Sequence, residues 1–130
     1  MTGAEIAVRA RGAVGTPFRL HGRGPDGLDC VGLVGLAYGV AVPTGYRLRS
    51  GSASLVAAVA AAAGLRAVAD GAVGDLIVMA SAPGQLHLAI DVGDGFVHAD
   101  AGLRRVVERP GAPPWPVLAR WRREEGTWRR

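Results

Sequence analysis

The hydrophobic pattern of the chain changes its period once, near residue 65, and this change constrains the fold more than any other feature. Before it, apolar residues recur at helical spacing in short segments that end at a glycine. After it, short apolar runs alternate with turn residues, which is typical of antiparallel strands. Helices followed by antiparallel strands predict an α+β fold in which the helices pack on a sheet.

Each predicted helix has a polar capping residue before it and a glycine near its end. The predicted helices are residues 2 to about 13 with Thr2 as N-cap, Cys30 to about Tyr38 between Asp29 and Gly39, and Ser52 or Ser54 to Ala63 before Gly64. Residues 19–28 form a glycine-rich loop between the first two helices.

The second half of the chain predicts a sheet made of hairpins. Gly93-Asp94-Gly95 separates two apolar runs and is a strong turn signal. Asp75 and Asp94 are interpreted as turn residues, not as an acid pair. The predicted strands are residues 75–80, 87–92, 96–99, 103–107 and 116–122.

Length and composition predict one domain over residues 1–130, with a core of small aliphatic side chains, because 49% of residues are apolar and only 5% aromatic. A single cysteine excludes an internal disulfide. The first residues lack a basic segment followed by an apolar one, so we expect no signal peptide and synthesis in the cytoplasm. Residues 55–63 are too short for a membrane span.

The net charge of +4 is concentrated at the C-terminal end, in Arg120-Trp121-Arg122-Arg123 and Trp128-Arg129-Arg130. A basic segment with tryptophans could contact nucleic acid. Glu124 and Glu125 interrupt it, however, and no nucleic-acid-binding motif accompanies it. We therefore interpret it as a solvated terminal strand and predict no nucleic-acid partner.

The only cysteine, Cys30, lies at the predicted start of a helix. The unpaired amides of a helix N-terminus favour a thiolate over a thiol, so this position predicts an activated nucleophile. His87 and His98 lie on the two strands of the predicted hairpin, where one ring could orient the other as in a catalytic triad. The alternative is a small buried cysteine and two structural histidines.

The residues around these three side chains occur in a recognisable order. The segments are Gly15-Thr16-Pro17-Phe18-Arg19, the glycine-rich loop, Asp29-Cys30-Val31-Gly32-Leu33-Val34, Gly74-Asp75-Leu76-Ile77, His87-Leu88-Ala89-Ile90 and Gly93-Asp94-Gly95-Phe96-Val97-His98-Ala99. Over residues 13–100 this set resembles the NlpC/P60 cysteine peptidases, in particular their phage and gene-transfer-agent types.

This resemblance implies a papain-like α+β fold and cleavage of peptide bonds in cell-wall stem peptides, typically after D-γ-glutamate. It implies Cys30 as nucleophile, His87 as base and His98 as the residue that orients His87. It implies neither a metal nor an organic cofactor. The expected substrate is the peptidoglycan stem peptide, and phage tail proteins are expected partners if the chain is built into a phage-like particle.

Two positions depart from the family pattern. Phe18 stands where the family usually has a tyrosine whose hydroxyl helps to hold the oxyanion, and His21 either replaces that hydroxyl or is a loop residue in contact with solvent. Val31 stands where a serine is common. That serine and the aspartate at position 29 help to receive the free amine of the substrate, so the change at Val31 bears on specificity.

Two other functions stay open: a tail assembly module that keeps the fold with little activity, and an amidase or acyltransferase of the same fold. Residues 22–27 have the glycine spacing of a dinucleotide-binding loop, but no strand precedes them. Three histidines and one cysteine without a close pair do not predict a zinc site.

Overall fold

The computed structural model describes residues 1–47 and 53–123. Three helices and eight strands are present in this part of the chain. Their bounds are α1 (Gly3–Gly12), β1 (Arg23–Gly24), β2 (Gly27–Leu28), α2 (Cys30–Tyr38), α3 (Ala53–Ala63), β3 (Leu65–Val68), β4 (Leu76–Ala82), β5 (Gln85–Asp91), β6 (Gly95–Asp100), β7 (Arg105–Pro110) and β8 (Val117–Arg123).

Helix α1 begins as the sequence predicts, because Thr2 and Glu5 form a capping box. The Thr2 hydroxyl accepts the Glu5 amide at 3.1 Å, and the Glu5 carboxylate accepts the Thr2 amide at 2.7 Å. Two amides without a helical partner are thereby satisfied, and such a cap stabilises a helix by about 1 kcal/mol.

Helix α2 is the central helix and is buried along almost its whole length. The Asp29 carboxylate caps it by accepting the Gly32 amide at 2.8 Å, and Gly39 ends it in the left-handed conformation with φ of 70°. It packs against α1 on one side and against β5 and β6 on the other. The predicted bounds of this helix are confirmed, and the first residue of the helix is the cysteine.

Helix α3 begins at Ala53, so Ser54 lies inside the helix and its predicted role as N-cap is wrong. The alternative cap, Ser52, lies outside the described residues. Gly64 follows the helix with φ of 68°, as predicted for a residue that ends a helix.

Strands β3 to β8 form one antiparallel sheet in the order β3-β8-β4-β5-β6-β7, which with the helices confirms the α+β class. Strand β7 starts at Arg105, later than predicted, because the Asp100 carboxylate accepts the amides of Gly102 and Leu103 and holds a turn. The sequence did not predict β3, which pairs with β8, or the short β1–β2 pair inside the glycine-rich loop.

Alternate residues of the sheet enter two separate apolar clusters. Leu76 and Val78 join the main core with the helices, whereas Ile77 and Met79 face the other way. This second cluster also contains Ala89 and Phe96 and is partly covered by Trp115. Both faces of the central strands are therefore covered.

Asp75 is a turn residue, as the sequence predicts, but it also has a structural role that the sequence did not predict. Its carboxylate accepts the Ala72 amide at 2.9 Å, as a turn aspartate does, but the residue is fully buried. It is paired with Arg120 at 3.2 Å and with Arg122 at 2.7 Å, both from β8. The burial of a carboxylate requires such partners. Asp94, by contrast, is an exposed turn residue whose side chain pairs with Arg11.

The arginines of β8 are therefore structural, and the interpretation of this segment as a solvated strand is wrong for them. Arg120 also pairs with Asp91, and Arg123 donates to the Ala63 carbonyl at the end of α3. The remainder of the basic segment, residues 124–130, lies outside the described residues. In the described ranges no helix is long and apolar enough to cross a membrane.

Candidate active site

A cavity of about 310 Å³ opens beside the N-terminus of α2. Six of the seven residues that the sequence predicts for a site line this cavity. These residues are Phe18, Asp29, Cys30, Val31, His87 and His98. His21 is not among the residues that line it.

The cavity lies where the hairpin of β5 and β6 comes apart. The two strands pair only through Ile90 with Val97 and Asp91 with Phe96. Beyond these pairs the strands diverge, and the first half of β5 and the end of β6 become cavity walls. The opening allows the thiol from the helix side and imidazoles from the strands to reach one space.

His87 and His98 meet across this opening. Nε2 of His87 lies 2.8 Å from Nδ1 of His98, and the ring planes are nearly perpendicular at 85°. The hairpin thus brings the two rings together, as the sequence predicts. Their catalytic roles remain a prediction.

The hydrogen bond occupies one of the two ring nitrogens of His87. Since Nε2 is engaged with His98, Nδ1 is the nitrogen left to accept a proton. In that tautomer Nε2–H donates to Nδ1 of His98, and His98 carries its own proton on Nε2. This Nε2 is buried and has no hydrogen-bond partner among the described residues.

Both imidazoles are neutral at physiological pH. Burial and, to a smaller extent, the neighbouring His98 lower the pKa of His87 to about 4, while Asp100 acts in the opposite direction. The pKa of His98 is lowered by burial and, to a smaller extent, by Arg109, against the opposing effect of Asp100. A neutral His87 is in the protonation state that a general base requires.

The electrostatics of Cys30 differ from the prediction of a favoured thiolate. Burial and then the adjacent Asp29 carboxylate raise the pKa of the thiol to about 12. The amides of Leu88, Val31 and Cys30 itself lower the pKa, as expected at a helix start, but they are outweighed. The prediction is wrong mainly because the thiol is buried, and in addition because the aspartate that caps the helix places a negative charge beside it.

The thiol and the base line the same cavity, and no hydrogen bond joins them among the described residues. The backbone amide of Leu88, the residue directly after His87, forms a hydrogen bond with the Cys30 thiol. Among the described residues, the hydrogen bonds of His87 include His98 but not Cys30. Contacts between catalytic groups are often longer in the free enzyme than in the substrate complex.

The Asp29 carboxylate has its hydrogen-bonding capacity filled from within the protein. One oxygen accepts the Gly32 amide at 2.8 Å and Arg23 at 3.1 Å. The other accepts the His21 amide at 2.8 Å and the Tyr46 hydroxyl. Four donors leave the buried carboxylate little capacity for a substrate amine.

His21 does not replace the hydroxyl that is absent at Phe18. Its Nε2 donates to the Tyr46 carbonyl at 2.6 Å, and its ring packs edge-to-face on Tyr46 outside the cavity wall. Phe18 lines the cavity without a donor. Tyr46 also lines it, but the proton of its hydroxyl is donated to Asp29. The amides at the start of α2 are thus the donors placed for an oxyanion.

Sequence reasoning missed two aromatic wall residues. Tyr46 lies in an aperiodic segment after Pro43, and nothing in its position predicts a bond to Asp29. Trp115 lies in the proline-rich loop before β8 and contacts both imidazole rings. The one available signal was the rarity of tryptophan, with 3 in the chain. In the described ranges no three histidine, cysteine or acidic side chains are grouped as metal ligands.

Solved structures similar to this chain share its fold. NlpC1 from Trichomonas vaginalis superposes with a TM-score of 0.69 at 22% identity, covering 93% of this chain and 45% of that one. NlpC2 from the same organism gives 0.67 at 22%, covering 92% of this chain and 47% of that one. This chain therefore spans less than half the length of those two proteins.

A third similar structure is the NlpC/p60 domain of the peptidoglycan hydrolase SagA. Its TM-score is 0.61 at 27% identity, and the match covers 91% of this chain and 99% of that domain. No curated protein matches the chain. The model of the NlpC/P60 family matches residues 15–116, which include the α2 cysteine, both histidines and Trp115. The chain belongs to the NlpC/P60 family.

Proposed function

We propose that this chain is a cysteine peptidase that hydrolyses amide bonds in peptidoglycan stem peptides. Cys30 is the nucleophile, His87 the general base and acid, and His98 the residue that orients His87. The observation that carries the proposal is the 2.8 Å His87–His98 hydrogen bond in a cavity that the only cysteine also lines.

The resting state of this mechanism is a neutral thiol beside a neutral imidazole. The Cys30 proton moves to Nδ1 of His87 as Sγ bonds to the amide carbonyl carbon, and the amides at the start of α2 stabilise the oxyanion. The Nε2–H of the imidazolium donates to His98, which keeps the ring aligned.

The tetrahedral intermediate then collapses to a thioester. The C–N bond breaks, and the leaving amine takes the proton that His87 holds. A water molecule attacks the thioester while His87 accepts its proton, and the proton returns to the Cys30 sulfur as it leaves. The acid product departs, and the neutral pair is restored.

Family membership and the likeness to SagA, a peptidoglycan hydrolase, support a cell-wall substrate. We further propose that the chain acts as a component of a phage or gene-transfer particle that opens peptidoglycan locally. Electron microscopy of particles carrying the labelled protein tests this placement. The label at the tail tip supports it, and absence of the protein from assembled particles contradicts it.

A second candidate is an enzyme of the same fold that acts on another amide or a thioester. The filled Asp29 carboxylate and the apolar Val31 favour it, because the groups that would receive a free substrate amine are respectively occupied and absent. An assembly module with little activity is the third candidate. The missing Cys30–His87 hydrogen bond among the described residues motivates it.

One experiment separates the three candidates. Wild type, Cys30→Ala and the conservative Cys30→Ser are incubated with purified peptidoglycan, and the soluble fragments are identified by mass spectrometry. Cys30-dependent new amine termini support the peptidase. Transfer of an acyl group to an added amine without new termini in peptidoglycan favours the second candidate. No turnover by a folded wild-type protein favours the assembly module.

A further inference from the structure

We propose that Trp115 is a positioning residue for the His87–His98 pair and that Arg109 holds Trp115 in place. This inference rests on the proposed function, because it concerns how the imidazole of His87, the base of that reaction, is held in position. Trp115 comes from the loop between β7 and β8, far in sequence from both histidines.

The three rings contact one another in pairs. The Trp115 ring lies 5.7 Å from His87 at 81° and 5.7 Å from His98 at 72°, and the imidazoles lie 5.0 Å apart. Each contact is edge-to-face, the arrangement that aromatic rings prefer. One indole ring thus touches both partners of the hydrogen bond on which the proposed base depends.

Trp115 is itself held from the side of β7. The Arg109 guanidinium lies 5.6 Å from the Trp115 ring and 6.0 Å from Phe96, and Phe96 packs at 5.2 Å on His98. A guanidinium near an aromatic ring is attracted by the partial negative charge on the face of the ring. The loop residue is therefore fixed between the second apolar cluster and a strand.

The contact has a chemical consequence for the histidines. His87 is only partly buried, so its hydrogen bond to His98 depends on cover from the cavity side. A smaller residue at position 115 admits water, which competes for Nε2 of His87 and stabilises its charged form. The charged groups that face the pair are Asp100, which acts on both rings, and Arg109, which acts on His98.

The test measures the pH profile of kcat/KM on peptidoglycan fragments for wild type, Trp115→Ala, Trp115→Phe and Arg109→Gln. Trp115→Ala should lower kcat by about tenfold or more with little change in KM, since small misplacements of a catalytic group are costly. The acid limb should move upward from about pH 4, toward the ordinary histidine range. Trp115→Phe, which keeps a ring, should restore most of the rate.

Arg11→Gln is the control, because Arg11 pairs with the exposed Asp94 and with Glu108 on β7, and no ring contact of its side chain is seen in the described residues. It should leave the profile unchanged, whereas Arg109→Gln should shift it part of the way. A wild-type profile in folded Trp115→Ala overturns the inference.

Nitrogen NMR of the imidazoles makes the test independent of turnover. In wild type the spectra should show Nε2–H of His87 protected from exchange, and Trp115→Ala should lose this protection and raise the pKa of His87. If no substrate is cleaved but these shifts occur, the proposed function fails and the positioning role stands. If His87 has the same pKa in wild type and in Trp115→Ala, the positioning role fails.

Discussion

The raised pKa of Cys30 predicts an unusually unreactive thiol in the free protein. With a pKa of about 12, the thiolate fraction at pH 7 is about 10⁻⁵. A thiol with the ordinary value of 9.0 has a fraction of about 10⁻². Iodoacetamide alkylates the thiolate and not the thiol. The folded protein should therefore react with it roughly 1,000-fold more slowly than an unperturbed thiol.

The assay uses the same chain as its own reference. Cys30 is the only cysteine, so any label is on this thiol. Mass spectrometry measures the labelling rate in the native and in the urea-unfolded protein, which compares the same thiol in two environments. Restricted access also slows labelling, but it leaves the pH midpoint where it was. The raised pKa predicts that the native rate keeps rising tenfold per pH unit through pH 10. A native rate that levels off below pH 9, or a neutral rate equal to that of the unfolded chain, would show that the pKa of Cys30 is not raised.

Three further predictions follow from the same geometry. Because burial lowers the pKa of His87 to about 4, activity should persist as the pH falls to about 5 and decline only below it; a midpoint near 6.5 in the pH–rate profile contradicts the burial of the pair. Asp75→Asn should destabilise the fold by about 3 kcal/mol, or lower Tm by roughly 10 °C, because two arginines lose a buried partner; a Tm change under 2 °C contradicts this. The folded pKa of Asp75 is lowered, so its stabilisation is present above the ordinary value of 3.8 and is lost as the pH falls through the folded value, which acid melts should show in wild type and not in Asp75→Asn. Tyr46→Phe removes one hydrogen-bond donor from Asp29 and should increase the rate of cleavage of substrates with a free amine relative to their acetylated forms. An unchanged ratio of the two rates would show that Asp29 does not bind the amine.

Local sequence signals predicted the parts of the site that local structure determines. Asp29 caps α2, Cys30 is its first residue, and the Gly93-Asp94-Gly95 turn folds His98 back toward His87. Caps and hairpin turns depend on a few adjacent residues, so they can be predicted without the rest of the fold.

Features that depend on distant segments could not be predicted in this way. Trp115 reaches the histidines only because β8 inserts between β3 and β4 and carries its preceding loop across the sheet. The ion pairs of Asp75 could not be predicted, because its arginine partners lie about 45 residues away. The pKa of Cys30 was predicted in the wrong direction, because burial is a property of the assembled core rather than of the helix start.

The central claim is that Cys30 attacks an amide carbonyl with His87 as its base, and trapping the acyl-enzyme tests it most directly. Wild type, Cys30→Ala and His87→Ala are mixed with stem-peptide fragments, quenched in acid and analysed by intact-protein and peptide mass spectrometry. We expect a hydroxylamine-sensitive adduct, with the mass of the acyl fragment, on the peptide that contains Cys30. The adduct should be absent in Cys30→Ala and form at least 100-fold more slowly in His87→Ala, on the order of a lost general base. Fragment cleavage that proceeds without this adduct, or at an equal rate in Cys30→Ala, would show that Cys30 is not the nucleophile.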